Sequence, residues 1–261
     1  MITAEFEYHR PSNIAGALAV LEEHGDDARV IAGGHSLIPM MKLRMAEVPH
    51  LVDLQDIVDL RGVTIIGEDI TIGAMTTQHE LINNQDLWIS APLIQEAALQ
   101  IADPQVRYMG TIGGNVANGD PGNDMPGLMQ CLDANFTLQG PEGVRTVKAR
   151  EFYDAAYMTE RDDNEILTHI SFKVAKSGYA YEKQKRKIGD YATAACAVLI
   201  SKNGGSVSSA SIAMTNLSDV PVLSEAAGTA LIGTSCDASA VKVAVAAALK
   251  DIDPTEDNRG P

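Results

Sequence analysis

Two glycine-rich stretches about eighty residues apart constrain this chain more than any other feature. The first is Val30-Ile31-Ala32-Gly33-Gly34-His35-Ser36-Leu37, a short apolar strand that runs into two glycines and a small hydroxyl residue ahead of a helical stretch. Successive glycines let the backbone take positive φ and approach a ligand with no Cβ in the way. Ser36 suits an N-cap. A loop of this kind turns unpaired backbone N–H groups toward one point and adds the positive end of the helix dipole, which attracts a diphosphate. Each charge-assisted hydrogen bond contributes roughly 1.5–3 kcal/mol, so about four or five such donors hold a dinucleotide without a lysine or arginine in the loop. The same residues also suit an ordinary β-to-α turn.

The second stretch, Gly110-Thr111-Ile112-Gly113-Gly114-Asn115-Val116-Ala117-Asn118-Gly119-Asp120-Pro121-Gly122-Asn123-Asp124, holds five glycines in fifteen residues. Its composition predicts neither helix nor strand but a long ordered loop, and such loops inside compact domains are commonly functional. It reads as a second cradle. Asp120-Pro121 starts a turn. Asp124 stands either to cap a helix over Met125–Asp133 or to accept a hydrogen bond from a ligand hydroxyl.

Between and beyond these stretches the pattern is mixed. Ile14, Ala17, Leu18 and Leu21 recur at helical spacing until Gly25. With strands at Arg29–Ala32 and Leu51–Leu54 and a helix over Leu37–Leu43, they predict a βαβ-like first lobe, residues 1–56. A second lobe, 57–175, opens with a hairpin of Val63–Ile66 and Ile70–Gly73. Helices follow at Thr77–Asn83 and Pro92–Ala102, with Pro104 closing the second. After the glycine-rich stretch and its helix come a hairpin over Asn135–Val147 and a strand over Ile166–Val174. A third unit, 176–261, has strands at Tyr179–Lys185, Ala195–Lys202 and Val207–Thr215, then helices at Ser224–Ile232 and Ser239–Leu249.

Charge and cysteine usage remove several function classes. Acidic residues number 35 against 20 basic ones, a net charge of −15, which repels a nucleic-acid backbone. No run of eighteen apolar residues occurs and the first residues lack a basic region followed by an apolar run, so the chain is expected in the cytoplasm. Cys131, Cys196 and Cys236 have no Cys-x-x-Cys spacing, and His9, His24, His50, His79 and His169 show no paired metal-ligand spacing. No metal is expected on this chain. A hydrolase elbow, a P-loop and a Gly-x-Gly-x-x-Gly fingerprint are likewise missing from the sequence.

Ala32-Gly33-Gly34-His35-Ser36-Leu37 together with Thr111-Ile112-Gly113-Gly114-Asn115 resembles the FAD-binding medium subunits of the molybdenum hydroxylases, the xanthine dehydrogenase group. Tyr8-His9-Arg10-Pro11, Ala102-Asp103-Pro104-Gln105-Val106-Arg107-Tyr108-Met109-Gly110, Gly119-Asp120-Pro121-Gly122-Asn123-Asp124-Met125-Pro126 and Lys185-Arg186-Lys187-Ile188-Gly189-Asp190-Tyr191 are similar to the aerobic carbon monoxide dehydrogenase flavoproteins in that group. The likeness covers nearly the whole chain. It implies an α+β fold: a two-lobed FAD-binding domain of the vanillyl-alcohol-oxidase type plus a small C-terminal α/β domain.

The resemblance also implies a non-covalent FAD. Its diphosphate would lie on the backbone of Ala32, Gly33, Gly34, His35 and Ser36, with Leu37 beside it, and on Gly110, Thr111, Gly113, Gly114 and Asn115. Asp124 would bind a sugar hydroxyl. Leu167, Lys183, Ile101 and Ala102 fall where the family has further flavin contacts, and Tyr191 where an aromatic ring lies near the isoalloxazine, although a tyrosine there also suits core packing. His35 stands in a Gly-Gly-His segment that some flavin oxidases of the same broad fold use for a covalent flavin bond.

Lys183-Gln184-Lys185-Arg186-Lys187 is the one dense basic run; as a strand it puts Lys183, Lys185 and Lys187 on one face with Tyr181. That face would meet the anionic cofactor, an anionic reduced flavin or an acidic partner, or else guard a solvated strand edge. By resemblance, the molybdenum cofactor and the 2Fe-2S clusters belong to a large and a small partner subunit, in a heterotrimer that dimerises and is held at the inner face of the membrane only through partners. Carbon monoxide and water would be the substrates of the whole, a quinone or similar carrier the acceptor, and no catalytic residue lies on this chain. The alternatives are a stand-alone FAD oxidase or dehydrogenase, the flavin subunit of a hydroxylase acting on purines, aldehydes or N-heterocycles, or an assembly protein that kept the fold without using the flavin.

Overall fold

The structure, a computed structural model, describes residues 2–174 and 178–256. The expected boundary at 175/176 and the chain end 257–261 lie outside the described residues.

Three strands, β1 (Glu7–His9), β2 (Ala28–Ile31) and β3 (His50–Asp53), form a parallel sheet in the order β1-β3-β2. Helix α1 (Ile14–His24) begins because the Asn13 side chain accepts the Gly16 N–H, and it ends at Gly25, whose φ of 51° favours glycine. Its buried Ala17 and Leu21 join Val52, Leu60, Met75 and Ile166 in one apolar cluster, so this sheet leans on residues well beyond it in sequence. Helix α2 (Leu37–Lys42) follows β2 after the Gly33-Gly34 turn.

The second sheet is antiparallel. Strands β4 (Val63–Ile66), β5 (Asp69–Gly73), β6 (Asn135–Gly140) and β7 (Gly143–Lys148) come first, then a small hairpin of β8 (Tyr153–Ala155) and β9 (Met158–Thr159), then β10 (Ile166–Lys173). The order β4-β5-β10-β6-β7 places β10 at the centre. Six helices are threaded between β5 and β6: α3 (Gln78–Asn83), α4 (Gln85–Ser90), α5 (Pro92–Gln100), α6 (Pro104–Met109), α7 (Ile112–Ala117) and α8 (Asp124–Cys131).

Three expectations fail in this segment. The second glycine-rich stretch is not all loop, because Thr111 caps α7 through the Gly114 N–H and the Gly113 face packs on Ala74. Tertiary contact overrides the poor helix propensity of Gly113-Gly114. Pro104 does not close a helix; α5 stops at Gln100, and Pro104 is the first residue of α6, where its missing N–H costs nothing, with Asp103 as the cap. Nor does Asp124 cap α8: Asn123 holds that position, and all eight residues of the helix, Asp124 included, are buried.

The third sheet runs β11 (Gly178–Gln184), β12 (Ala194–Asn203), β13 (Ser206–Thr215) and β14 (Val222–Leu223), all antiparallel, with α9 (Glu225–Leu231) and α10 (Ala238–Ala248) on one face. Its other face contributes Tyr181, Ala195, Ala197 and Ala213 to the same apolar cluster as Ile94, Ala97 and Leu128. Burial against α5 and α8 therefore fixes β11 beside the end of α5, which positions Lys183.

Candidate functional site

One elongated cavity of about 500 Å³ is walled by the β2–α2 turn, the α6–α7 junction, β10, β11 and the segment after β11. That volume lies within the roughly 300–1,000 Å³ typical of small-molecule and cofactor sites. All seventeen residues singled out above border it. They come from segments up to about 160 residues apart in sequence.

On one wall, Ala32 to Leu37 leave β2 and enter α2. Among the described residues, no acceptor is paired with the backbone N–H of Gly33, Gly34, His35 or Ser36. These orphan donors are the group a bound anion would satisfy. Ser36 sits at the N-cap position but makes no capping bond. Gly34 takes the positive φ expected of the doublet, and Gly33 serves a close approach between two loops. A Cβ on Gly33 would lie 2.2 Å from the Met109 carbonyl oxygen, so this glycine lets the first turn touch the entry to α7; Gly34 has φ of 73°.

The second cradle differs from the first. The N–H of Ile112 goes to Thr76 O, that of Gly113 to Ala74 O, that of Gly114 to Thr111 Oγ1 and that of Asn115 to Thr111 O, at 2.8–3.1 Å. Those donors are spent inside the protein. What this wall offers a ligand is side chain instead: the Thr111 hydroxyl hydrogen, and Asn115 Nδ2, which has no protein partner among the described residues although Oδ1 accepts the Met125 N–H at 3.1 Å. A Cβ on Gly114 would face Thr111 Oγ1 at 2.9 Å and Ala32 Cβ at 3.4 Å. It would press on the Thr111 side chain and on the first turn.

At one end, Ile101 and Ala102 form the α5–α6 corner. Ala102 has φ of 44°, a left-handed conformation costly for a non-glycine residue, and Arg107 Nη1 donates to the carbonyls of Ile101 (2.9 Å) and Ala102 (3.3 Å). Beside this corner lies a buried ion pair. Lys183 Nζ reaches Asp124 Oδ2 at 2.8 Å, with the two side chains 1% and 5% exposed, and it also donates to Gln100 O at 3.2 Å. The Tyr181 hydroxyl donates to Asp124 Oδ1. Burial pushes the Asp124 carboxyl up from the ordinary carboxylate range, while the Lys183 ammonium and the Tyr181 hydroxyl pull it down.

The face shared by Tyr181, Lys183 and Lys185 is thus turned inward, with Lys185 Nζ reaching Gln100 Oε1 at 3.4 Å. The strand ends at Gln184, so Lys187 lies beyond that face and is exposed. A solvated edge accounts for Glu182, Gln184 and Arg186 but not for Lys183. Tyr191 packs over the Asp120–Gly122 turn and its hydroxyl lies in reach of Ser36; burial and Asp120 raise its pKa. It is half-exposed, not a core residue. Leu167 is buried at a bulge in β10, where the ladder to β6 shifts register.

Several wall residues escaped the sequence reading. Asn118 and Asn123 belong to the second stretch and carry polar side chains, a signal that was available. Gln78 in α3 was not visible. Nor was the charged end of the cavity, where Arg29 Nη1 meets Asp163 Oδ1 at 2.6 Å and Arg161 Nη1 donates to Glu165 O at 2.9 Å. There Glu165 accepts from Arg145 Nε at 2.6 Å and Nη2 at 2.7 Å, and this guanidinium holds its carboxyl below the ordinary 4.5. A carboxyl lowered by folding stabilises the fold above its unfolded pKa, and that contribution is lost as pH falls through the folded value. Glu165→Gln is therefore expected to destabilise the chain at pH 7 and to do so less at about pH 3, because the contribution fades as pH falls below the ordinary 4.5. Urea midpoints at both pH values check this.

Away from the cavity, His9, His24 and His50 converge although their spacing gave no sign of it, with ring nitrogens within 4.8 Å of one another. His24 and His50 stack at 3.6 Å with planes 6° apart, and His9 Nε2 lies 3.1 Å from His50 Nδ1. An imidazole binds a metal along its in-plane lone pair. The planes of the two stacked rings do not meet within metal-bonding distance of their nitrogens, so the trio as arranged is a packed, hydrogen-bonded group.

A parallel first sheet, an antiparallel second sheet and a cavity between them that opens on orphan N–H donors make a two-lobed fold suited to an anionic cofactor, with an appended α/β unit. Residues 4–172 match the family described as the FAD binding domain in molybdopterin dehydrogenase. Residues 179–261 match the CO dehydrogenase flavoprotein C-terminal domain. The chain is 56% identical to the carbon monoxide dehydrogenase medium chain of Afipia carboxidovorans, over 100% of this chain and 91% of that one. Its structure superposes on reconstituted CO dehydrogenase from Oligotropha carboxidovorans with a TM-score of 0.98 at 56% identity, covering 100% of this chain and 92% of the other. Quinoline 2-oxidoreductase from Pseudomonas putida 86 matches with a TM-score of 0.95 at 29% identity, covering 100% and 91%. The chain belongs to the FAD-binding flavoprotein family of the molybdopterin dehydrogenases. No helix among the described residues is long and apolar enough to cross a membrane.

Proposed function

We propose that this chain is the FAD-holding electron-transfer subunit of an aerobic carbon monoxide dehydrogenase. The whole enzyme would convert carbon monoxide and water to carbon dioxide, two protons and two electrons on a large molybdenum subunit. A small subunit would carry the 2Fe-2S clusters, and the heterotrimer would pair into a dimer. Bound FAD supplies the capacity to take electrons from those clusters and pass them to an external acceptor such as a quinone.

The observation that carries this reading is the turn after β2, where the unpaired N–H groups of Gly33, Gly34, His35 and Ser36 border a cavity without any cation in the loop. Such a turn suits a diphosphate. Elsewhere on the wall, Thr111 and Asn115 offer polar side-chain hydrogens, Asp124 and Lys183 form a buried ion pair, and Tyr191 borders the cavity within reach of Ser36. The chain's own work is to bind, orient and shield. Division into 1–56, 57–175 and 176–261 fits this arrangement, since the cavity draws walls from each. Carbon monoxide as the substrate follows the relatives named for it at 46–56% identity over the whole chain.

The test is a visible spectrum of the purified chain, with and without co-expressed partner subunits, before and after acid precipitation. FAD in the supernatant is the expected result. Flavin left on the precipitate would point to a covalent bond at His35, and no flavin even with the partners present would overturn the reading.

A further inference from the structure

Gln78 opens α3, and its backbone N–H is spent on the Gly110 carbonyl at 2.8 Å. Its side chain borders the cavity and the residue is 2% exposed. Among the described residues neither its Nε2 nor its Oε1 has a hydrogen-bond partner. A carboxamide stripped of water and left unpaired destabilises a fold, and buried polar groups in proteins are almost always bonded. The position has no need of an amide for helix formation, because α3 is already capped by Thr77 and Glu80. A buried, unpaired amide on the wall of a cavity is held for a partner that is not part of this chain.

Its surroundings indicate which part of a dinucleotide it meets. The backbone of Gln78 is tied to Gly110, and Gly110 lies under Gly33, so the residue lines the cavity where the β2–α2 turn meets the entry to α7. The turn supplies donors only, which suits phosphate oxygens. A carboxamide supplies one donor and one acceptor group, and a phosphate oxygen satisfies only the first. A hydroxyl satisfies either. In FAD the diphosphate is flanked on both sides by hydroxyl-bearing carbon chains, the ribityl chain and the adenosine ribose. We propose that Gln78 binds a sugar hydroxyl adjoining the diphosphate of bound FAD. The inference rests on the FAD reading above.

The test uses the full chain as wild type, Q78M and Q78L, titrated with FAD, FMN and ADP and melted without ligand. Methionine matches the length of glutamine, and both substitutions remove both polar groups. Each variant is expected to bind FAD at least tenfold more weakly while its ligand-free melting temperature stays level or rises. Loss on FMN but not ADP assigns the ribityl hydroxyls; loss on ADP but not FMN assigns the ribose. FAD affinity within twofold of wild type would overturn the inference, as would equal loss on both fragments or on neither, or a fall in the ligand-free melting temperature. Failure of the wild type to bind FAD, both alone and with its partner subunits co-expressed, would instead remove the reading on which it rests.

Discussion

Gly33→Ala is expected to weaken FAD binding about a hundredfold and to be the most damaging single alanine change among the glycines of the site. The new Cβ would lie 2.2 Å from the Met109 carbonyl oxygen and 2.8 Å from Gly110 Cα. Those are backbone atoms, so no side chain can swing aside, and the turn after β2 must lift away from the entry to α7. Charge-assisted hydrogen bonds from the turn are worth roughly 1.5–3 kcal/mol each, and displacing one or two of them costs about 3 kcal/mol, or two decades in affinity. Gly114→Ala should cost less than tenfold, because the nearest atom to its Cβ, at 2.9 Å, is the Thr111 hydroxyl, a side-chain oxygen. Gly34→Ala carries the strain of φ at 73° but meets only the end of the Ile38 side chain at 2.8 Å. Equilibrium titration with FAD ranks the three. If Gly114→Ala were worse than Gly33→Ala, the glycines would be acting against the ligand and not between the two loops.

That ranking shows what the sequence could and could not convey. The doublet Gly33-Gly34 marks a close approach whatever approaches, so the place was legible. The partner was not, because Met109 lies 76 residues away in sequence. Local signals carried most of the strands: alternation in Val63–Ile66 and Ile70–Gly73 reads directly, as does the placing of Tyr181 and Lys183 on one face, though not which way that face turns. Helices fared worse where glycine or proline sends two messages. Gly113-Gly114 looks like loop, yet α7 forms because Gly113 must pack on Ala74. Asp103-Pro104 is a cap followed by a first-turn proline, which opens a helix as readily as Pro104 alone closes one. Gln78 gave no signal, since a glutamine early in a polar helix reads as surface until its 2% exposure is known. The Asp124–Lys183 pair joins residues 59 apart, and nothing local in either segment foretells that both charges are buried.

That pair sets the second large effect. Lys183→Met is expected to destabilise the chain by about 3–5 kcal/mol, the range for removing one partner of a buried ion pair. The Asp124 carboxylate would be left 5% exposed with the Tyr181 hydroxyl as its remaining side-chain donor. The loss should depend on pH, with a defined sign. Burial already pushes the Asp124 carboxyl up, and the Lys183 charge is the largest influence that lowers it. Without that charge the carboxyl rises further in the folded state. A carboxyl raised by folding binds its proton more tightly there than in the unfolded chain, so its stabilising contribution is full below the unfolded pKa and is lost as pH rises through the folded one. Lys183→Met should therefore lie closer to wild type at pH 5 than at pH 8 in urea midpoints. Adding Asp124→Asn removes the uncompensated charge, and the double variant should recover most of the stability at pH 8. FAD affinity need not follow. If Asp124 and Lys183 serve only the fold, the double variant binds FAD as wild type does; if they also bind the cofactor, it stays folded and holds FAD at least tenfold less tightly.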